Sequence, residues 1–328
     1  MRIAILGAGA WGSALAATLA RAHQVSLWTR DSADLEAIAR TRESRYLPGV
    51  RLANSIGLAA DAAAAARDSE LTIVATSTSG MSAALERIAP EGAASLLWAC
   101  KGFDPVTARL PHEIVEAALP SCRQAGALSG PSFAAEVARG LPAALTIASS
   151  DEAFASRMAS ALNHPPLRVY SSGDLVGVEL GGALKNVMAI AAGISDGLGL
   201  GANARAALIT RGLAEMARLG VRMGGSPETF MGLTGAGDLI LTATGDLSRN
   251  RRVGLRLAQG APLETILAEL GHVAEGVQSA RAALSLANRH GVEMPITEAV
   301  CAVLFEGLAA PRAVENLLAR EPKREHRA

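Results

Sequence analysis

The sequence predicts an α/β chain in two parts, a doubly wound sheet in the N-terminal half followed by an all-helical C-terminal domain. Three observations predict it. Short apolar runs of strand length recur as far as about residue 170, with helical stretches between them, the pattern of a largely buried parallel sheet. The first of these runs leads through a glycine-rich turn straight into a helix. From about residue 175 the strand-like runs stop and helical periodicity continues to the end. A chain of 328 residues is also longer than one core usually grows, roughly 250 to 300 residues, so two domains are expected. The boundaries fall at 1–175 for the sheet domain and 176–320 for the helical domain, with 321–328 a charged, disordered tail.

In order, Ile3 to Leu6 is the first strand, and Gly7-Ala8-Gly9-Ala10-Trp11-Gly12 opens a helix over Ser13 to Ala20. This is the Rossmann-type dinucleotide fingerprint in its proper context. Gly7 permits the tight turn, Gly9 lets the backbone approach a pyrophosphate, and Gly12 allows the helix to pack close to the strand. The second strand, Val25 to Trp28, ends at Thr29-Arg30-Asp31. Arg30 suits the 2′-phosphate of NADP, while Asp31 keeps NAD open, and an ordinary solvated Arg-Asp pair is the alternative. Tyr46, in a loop, lies either near the nucleotide or in simple packing. The Ala-rich tract Asp61 to Arg67 reads as helix.

Leu71 to Ala75 and Ser95 to Ala99 are further buried strands, separated by a helix over Gly80 to Ala89. Their trailing loops, Thr76 to Ser79 and Cys100-Lys101-Gly102-Phe103, fall at the carboxyl edge of the sheet, where ligands bind in such folds. Ala125 to Leu128 leads into Ser129-Gly130-Pro131-Ser132-Phe133-Ala134, a strand-to-helix turn in which Ser132 offers either a ligand hydroxyl or a helix cap. Ala143 to Ala148 and Leu167 to Tyr170 complete the strands. In the second half, Asn203 caps a helix running to Leu219, with Gly220 as its stop.

Lys185 stands out in Gly181-Gly182-Ala183-Leu184-Lys185-Asn186. Its helical neighbours at three and four residues are Gly182, Gly181, Met188 and Ala189, with no carboxylate among them. Small residues there would let a ligand approach the backbone, and an ammonium on an apolar wall loses proton affinity and becomes useful for proton transfer; a snorkelling lysine is the alternative. Composition favours chemistry. Of 31 Lys plus Arg, only Lys101, Lys185 and Lys323 are lysines. Arginine serves almost everywhere else and does not deprotonate at ordinary pH, so Lys185, and more weakly Lys101, read as chemically required.

Further on, Leu233-Thr234-Gly235-Ala236-Gly237-Asp238 presents a glycine-flanked acid. Ser248-Arg249-Asn250-Arg251-Arg252 then gathers a hydroxyl, an amide and three guanidiniums at a helix start, a set able to hold a phosphate or a carboxylate. A solvated basic helix face is the competing reading. The apolar stretch Ala299 to Phe305 packs in the core or in the interface of a homodimer, with the core favoured.

Taken together, the N-terminal GxGxxG, Lys101-Gly102, Ser129 to Ala134, Gly182 to Asn186, Thr234 to Asp238 and Ser248-Arg249-Asn250 resemble the bacterial NAD(P)-dependent glycerol-3-phosphate dehydrogenase family over nearly the whole chain. That resemblance implies reversible reduction of dihydroxyacetone phosphate to sn-glycerol 3-phosphate with NADPH or NADH, supplying glycerophospholipid synthesis. It implies Lys185 as general acid/base, and on chemical grounds Asp238 is the group placed to orient that ammonium. It also implies a substrate site formed by Lys101, Gly130, Ser132, Lys185, Asp238, Ser248, Arg249 and Asn250. Beside Gly7, Gly9 and Gly12, and with Tyr46 a candidate from its loop position, the implied cofactor wall is Ala10, Trp11, Arg30, Lys101, Ala134, Arg249, Val273 and Glu275. The last two belong to Gly271-His272-Val273-Ala274-Glu275-Gly276, similar to the family's loop that closes over the cofactor. Ala10 lacks the hydroxyl found in some members and is left with a backbone amide.

Other classes are disfavoured. Lys plus Arg balances Asp plus Glu at 31 each, which gives no sign of a nucleic-acid partner. Cys100, Cys122 and Cys301 form no CxxC pair and no metal-like cluster, as expected in a reducing cytoplasm. The strand-like opening Met1 to Leu6 and the lack of an uninterrupted apolar run of roughly 18 residues argue against a signal peptide and against stable membrane insertion. The remaining rivals are a lysine dehydrogenase of the ketopantoate reductase or hydroxyisobutyrate dehydrogenase kind, acting on a carboxylate, and a non-catalytic NADPH sensor.

Overall fold

The computed structural model describes residues 1–271 and 274–321. Eight strands form one sheet: β1 (Arg2–Leu6), β2 (Gln24–Trp28), β3 (Gly57–Ala59), β4 (Leu71–Val74), β5 (Leu96–Trp98), β6 (Ala125–Ser129), β7 (Ala143–Ala148) and β8 (Leu167–Ser172). Their order is β3-β2-β1-β4-β5-β6-β7-β8, so the direction of winding reverses between β1 and β4. That reversal opens a crevice at the carboxyl ends of the central strands, directly above the glycine turn. The covering helices are α1 (Ala10–Leu19), α2 (Ser32–Thr41), α3 (Ala62–Arg67), α4 (Met81–Ile88), α5 (Pro111–Ala118), α6 (Ala134–Ala138) and α7 (Glu152–Leu162).

Two features of the sheet depart from the sequence reading. β3 was not expected, because Gly57–Ala59 is too short to show either alternation or an apolar run. The sheet is also not parallel throughout: β7 runs antiparallel to β6. The connection 130–142 carries only the short α6, which packs on α1 through a 3.2 Å hydrogen bond from Thr18 Oγ1 to Val137 O. Such a linker turns back at the carboxyl edge instead of crossing the sheet.

The second half is helical: α8 (Leu175–Gly197), α9 (Gly201–Arg222), α10 (Pro227–Met231), α11 (Asp238–Thr244), α12 (Arg249–Ala258), α13 (Leu263–Leu270), α14 (Glu275–Arg289), α15 (Pro295–Phe305) and α16 (Ala310–Leu318). α8 is its axis, buried without a break from Gly177 to Ser195. By length and composition it is the one helix among the described residues that could cross a membrane, yet 89% of its apolar window lies inside the protein. α12 lies directly on it; a Cβ on Gly193 would stand 2.0 Å from Arg251 O. α15 contributes Val300, Cys301 and Leu304 to the same core, the placement favoured for that apolar stretch.

The ends of α9 correct the sequence reading. Neither Asn203 nor Gly220 bounds it; both lie inside a helix running from Gly201 to Arg222. Gly220 is there for packing, since a Cβ would sit 1.9 Å from Cζ of Phe230. The chain leaves the helix at Gly224, whose φ of 99° is costly for other residues.

Candidate active site

The glycine turn has the geometry its spacing predicts. Gly7 adopts φ 122°, and a Cβ there would lie 2.8 Å from Ala75 O. At Gly12 a Cβ would reach to 1.8 Å from Gly7 O, so α1 can start this close to β1 only without a side chain. At Gly9 a Cβ meets nothing within 4 Å, which leaves open space above the backbone for a pyrophosphate. Ala10 and Trp11 form the first turn of α1, and the buried Trp11 Nε1 has no partner among the described residues. Arg30 is exposed just beyond β2. Tyr46 is tied to the neighbouring Asp31 through Arg45, which donates a 2.7 Å hydrogen bond to the Tyr46 hydroxyl and pairs with Asp31. Ala134 opens α6 and Glu275 opens α14, while Val273 lies outside the described residues.

At the sheet's carboxyl edge, three elements converge on Asp238. Lys185 Nζ, from the middle of α8, donates to Asp238 Oδ1 at 2.8 Å and to Thr242 Oγ1 at 2.9 Å. Lys101 Nζ, from the loop after β5, donates to Asp238 Oδ2 at 2.8 Å and to Gly130 O at 2.7 Å. Ser132 Oγ donates to that same carbonyl at 3.1 Å; it does not cap α6, whose N-cap is Phe133. Among the described residues, each ammonium thus uses two of its three N–H bonds and keeps one.

Electrostatics sharpen the arrangement. Burial lowers the Lys185 pKa below its usual value, against the attraction of Asp238, and the charge of Lys101 pushes in the same direction as burial. Burial alone would raise the Asp238 carboxyl, but Lys101 and Lys185 more than offset it and hold the group below its usual range. Asp238 therefore stays ionised, and two cations with one anion leave a net positive charge between α8 and β5. Burial pushes the half-buried Glu275 carboxyl up despite Arg249, Lys185 and Lys101 nearby.

The glycines beside Lys185 do not open a ligand path. A Cβ on Gly181 would stand 2.6 Å from Thr234 O, and one on Gly182 would stand 3.1 Å from Ser129 Oγ, so protein atoms fill both places. What these glycines admit is the turn over Leu233–Gly237, which brings Asp238 to the lysine. The 248–252 cluster is likewise divided. Ser248 caps α12, its Oγ accepting from Arg251 N at 3.2 Å. Arg251 is committed to Asp196 at 2.8 Å and Asp246 at 2.9 Å. Arg249 and Arg252, both exposed, remain, and Arg249, at the first position of α12, is the one whose charge acts on Glu275.

Two residues escaped assignment from sequence. Thr242 follows Asp238 by one helical turn, a spacing that could have revealed it as the second anchor of Lys185. Asn186 donates to Lys101 O at 3.1 Å and accepts from Asn250 Nδ2 at 2.9 Å, while Asn250 Oδ1 accepts from Gly276 N at 3.0 Å. This chain of amides ties the Lys101 loop, α8, α12 and the start of α14 together, and among the described residues it leaves Asn250 one N–H.

A family model described as NAD-dependent glycerol-3-phosphate dehydrogenase N-terminus matches residues 2–155, and its C-terminus counterpart matches residues 174–315. The chain belongs to the NAD-dependent glycerol-3-phosphate dehydrogenase family. Among its relatives, the glycerol-3-phosphate dehydrogenase [NAD(P)+] of Aromatoleum aromaticum is 58% identical over 330 residues, covering 99% of this chain and all of that one. The crystal structure of glycerol-3-phosphate dehydrogenase from Coxiella burnetii superposes with a TM-score of 0.93 at 40% identity, over 97% of this chain and 99% of that one. A ketopantoate reductase from Ralstonia eutropha shares the fold alone, with a TM-score of 0.59 at 16% identity over 96% of this chain and all of that one.

Proposed function

We propose that the chain reversibly reduces dihydroxyacetone phosphate to sn-glycerol 3-phosphate with NADPH or NADH, with Lys185 as general acid/base. The product would serve as backbone donor for glycerophospholipid synthesis. The observation that carries this reading is the sharing of Asp238 by Lys101 and Lys185, each with one donor left over among the described residues. Residues 1–175 would bind the dinucleotide and 176–320 would supply the lysine and the phosphate site.

The glycine turn fits a dinucleotide, since Gly9 leaves the backbone bare where a pyrophosphate would lie. Gly7, Gly12, Ala10, Trp11, Arg30, Tyr46, Ala134 and Glu275 would line its path, with Lys101 and Arg249 near its reactive end. When bound, the nicotinamide supplies or accepts the hydride. Everything else falls to the chain. Lys185 gives its spare proton to the carbonyl oxygen as negative charge develops there, and the net positive charge of the lysine pair stabilises that charge before the proton moves. Asp238 and Thr242 fix the ammonium in place. Arg249, the spare N–H of Asn250, Ser248 and the N-terminus of α12 would grip the phosphate, and Lys101, Gly130 and Ser132 would border the carbon chain. Phosphate binding remote from the ketone thereby places the carbonyl at Lys185.

A cytoplasmic setting is supported by three unpaired cysteines, two of them buried. A homodimer is supported by exposed apolar side chains of the helical domain, Leu200, Val221 and Leu318. Sedimentation would show it.

The test of substrate is NADPH oxidation with dihydroxyacetone phosphate, ketopantoate and unphosphorylated dihydroxyacetone in parallel. Rapid turnover with the phosphate alone is expected. Preference for ketopantoate would overturn the substrate, and inactivity on all three would favour a nucleotide-binding sensor.

A further inference from the structure

Beyond β2 the carboxylates of Asp31 and Asp34 share the guanidinium of Arg45, and Arg30 stands next to Asp31 in sequence. Asp31 is the acid positioned to take a ribose diol, yet it is committed elsewhere. Its Oδ1 accepts from Ala33 N at 3.0 Å and Asp34 N at 3.4 Å to cap α2, and its Oδ2 lies 3.6 Å from Arg45 Nη2. Arg45 Nε pairs with Asp34 Oδ1 at 2.9 Å, and its Nη2 donates to the Tyr46 hydroxyl at 2.7 Å, with the guanidinium 4.8 Å from the centre of that ring. Arg45 is therefore held by Asp31, Asp34 and Tyr46 together, while its Nη1 has no partner among the described residues. Arg30, exposed and next to Asp31 in sequence, likewise makes no hydrogen bond or ion pair among the described residues.

We propose that Arg45 is a specificity-determining residue for the adenosine end of the cofactor, favouring the 2′-phosphate of NADPH together with Arg30. The inference rests on the reading that the dinucleotide's adenosine ribose lies beyond β2. Arg45 acts in two ways. It neutralises Asp31 and Asp34, which would otherwise repel a dianionic phosphate, and its unspent Nη1 offers a forked donor of the kind that suits phosphate oxygens. With Arg45 present the four side chains sum to zero charge; without it they sum to minus one beside the phosphate. The diol of NADH carries no charge and gains little from either effect.

The decisive experiment is direct binding without substrate, by nicotinamide fluorescence or calorimetry, of NADPH, NADH, 2′-phospho-ADP-ribose and ADP-ribose to wild type, Arg45→Ala and Arg45→Lys. For Arg45→Ala the dissociation constants of the two 2′-phosphorylated ligands should rise about tenfold or more, as expected for a lost charge-assisted contact. Those of NADH and ADP-ribose should stay near wild type, and Arg45→Lys should recover part of the loss. Arg45→Gln serves if the alanine variant does not fold. Equal weakening of phosphorylated and unphosphorylated ligands would assign Arg45 to loop structure and overturn the proposal, as would unchanged affinity for all four. Wild type binding none of the four would overturn the cofactor reading itself.

Discussion

Lys101 and Lys185 share a single carboxylate: each ammonium donates to one oxygen of Asp238 at 2.8 Å. The two lysines come from a sheet loop and from the central helix, so Asp238 is what sets their mutual position. An asparagine could accept from one ammonium but would present its N–H bonds to the other. Asp238→Asn is expected to cut kcat by about a hundredfold or more, because a buried ammonium left unpaired loses both its place and its charge. Affinity for NADPH measured by fluorescence should be retained. A variant with near-normal kcat would show that the shared carboxylate does not organise the chemistry.

Lys185 should leave its mark on the pH profile. Ketone reduction needs the ammonium, so its rate holds while Lys185 is protonated and falls as pH rises through a pKa that burial keeps below the usual 10.5. Alcohol oxidation needs the neutral amine and rises across the same window. Asp238, held below 3.8 by its two lysines, stays ionised there and adds no inflection. Lys185→Arg should abolish the inflection, since a guanidinium does not titrate in this range. Steady-state profiles in both directions provide the check, and a reductive limb flat beyond pH 10.5 would count against the assignment.

Arg249→Ala should chiefly raise KM for dihydroxyacetone phosphate, by about tenfold or more for a lost charged contact to phosphate. Inorganic phosphate should lose potency as a competitive inhibitor in step. An unchanged KM would remove phosphate capture from the start of α12.

A stability prediction concerns Glu215, buried on α9, where its carboxyl accepts from Ile296 N at 2.8 Å and Thr297 N at 3.3 Å. Burial pushes its pKa up to about 7 from 4.5, against those hydrogen bonds. The folded state therefore holds this proton more tightly than the unfolded chain. The associated stability is full below pH 4.5 and is lost as pH rises through about 7, on the order of 3 kcal/mol. Glu215→Gln keeps an acceptor for Ile296 N and cannot ionise, so denaturant unfolding at pH 5 and pH 8 should differ less in the variant than in wild type.

The sequence made the glycine turn, most strands and the unusual lysines legible because each has a local signature. A strand-turn-helix needs glycines at fixed spacing, and a chain that spends lysine so rarely reveals where an ammonium is required. What stayed hidden depends on long-range packing. Gly181 and Gly182 looked like a path for a ligand, and only the fold shows Thr234 and Ser129 filling those places. Gly220 had the mark of a helix stop, but the Phe230 ring makes it a packing residue within α9. The Ser248 cluster offered three guanidiniums, and Asp196, distant in sequence on α8, takes Arg251 out of the set. The antiparallel turn of β7 had no sequence signal, because it follows from a connection too short in helix to cross the sheet.

The central claim is that Lys185 transfers the proton in a reaction on dihydroxyacetone phosphate. Its most direct test is single-turnover oxidation of NADPH by that ketone in wild type and Lys185→Ala, with NADPH affinity measured on the same samples. Retained NADPH affinity with a rate lowered about a hundredfold to ten-thousandfold is the expected result. A rate within a few-fold of wild type would contradict it.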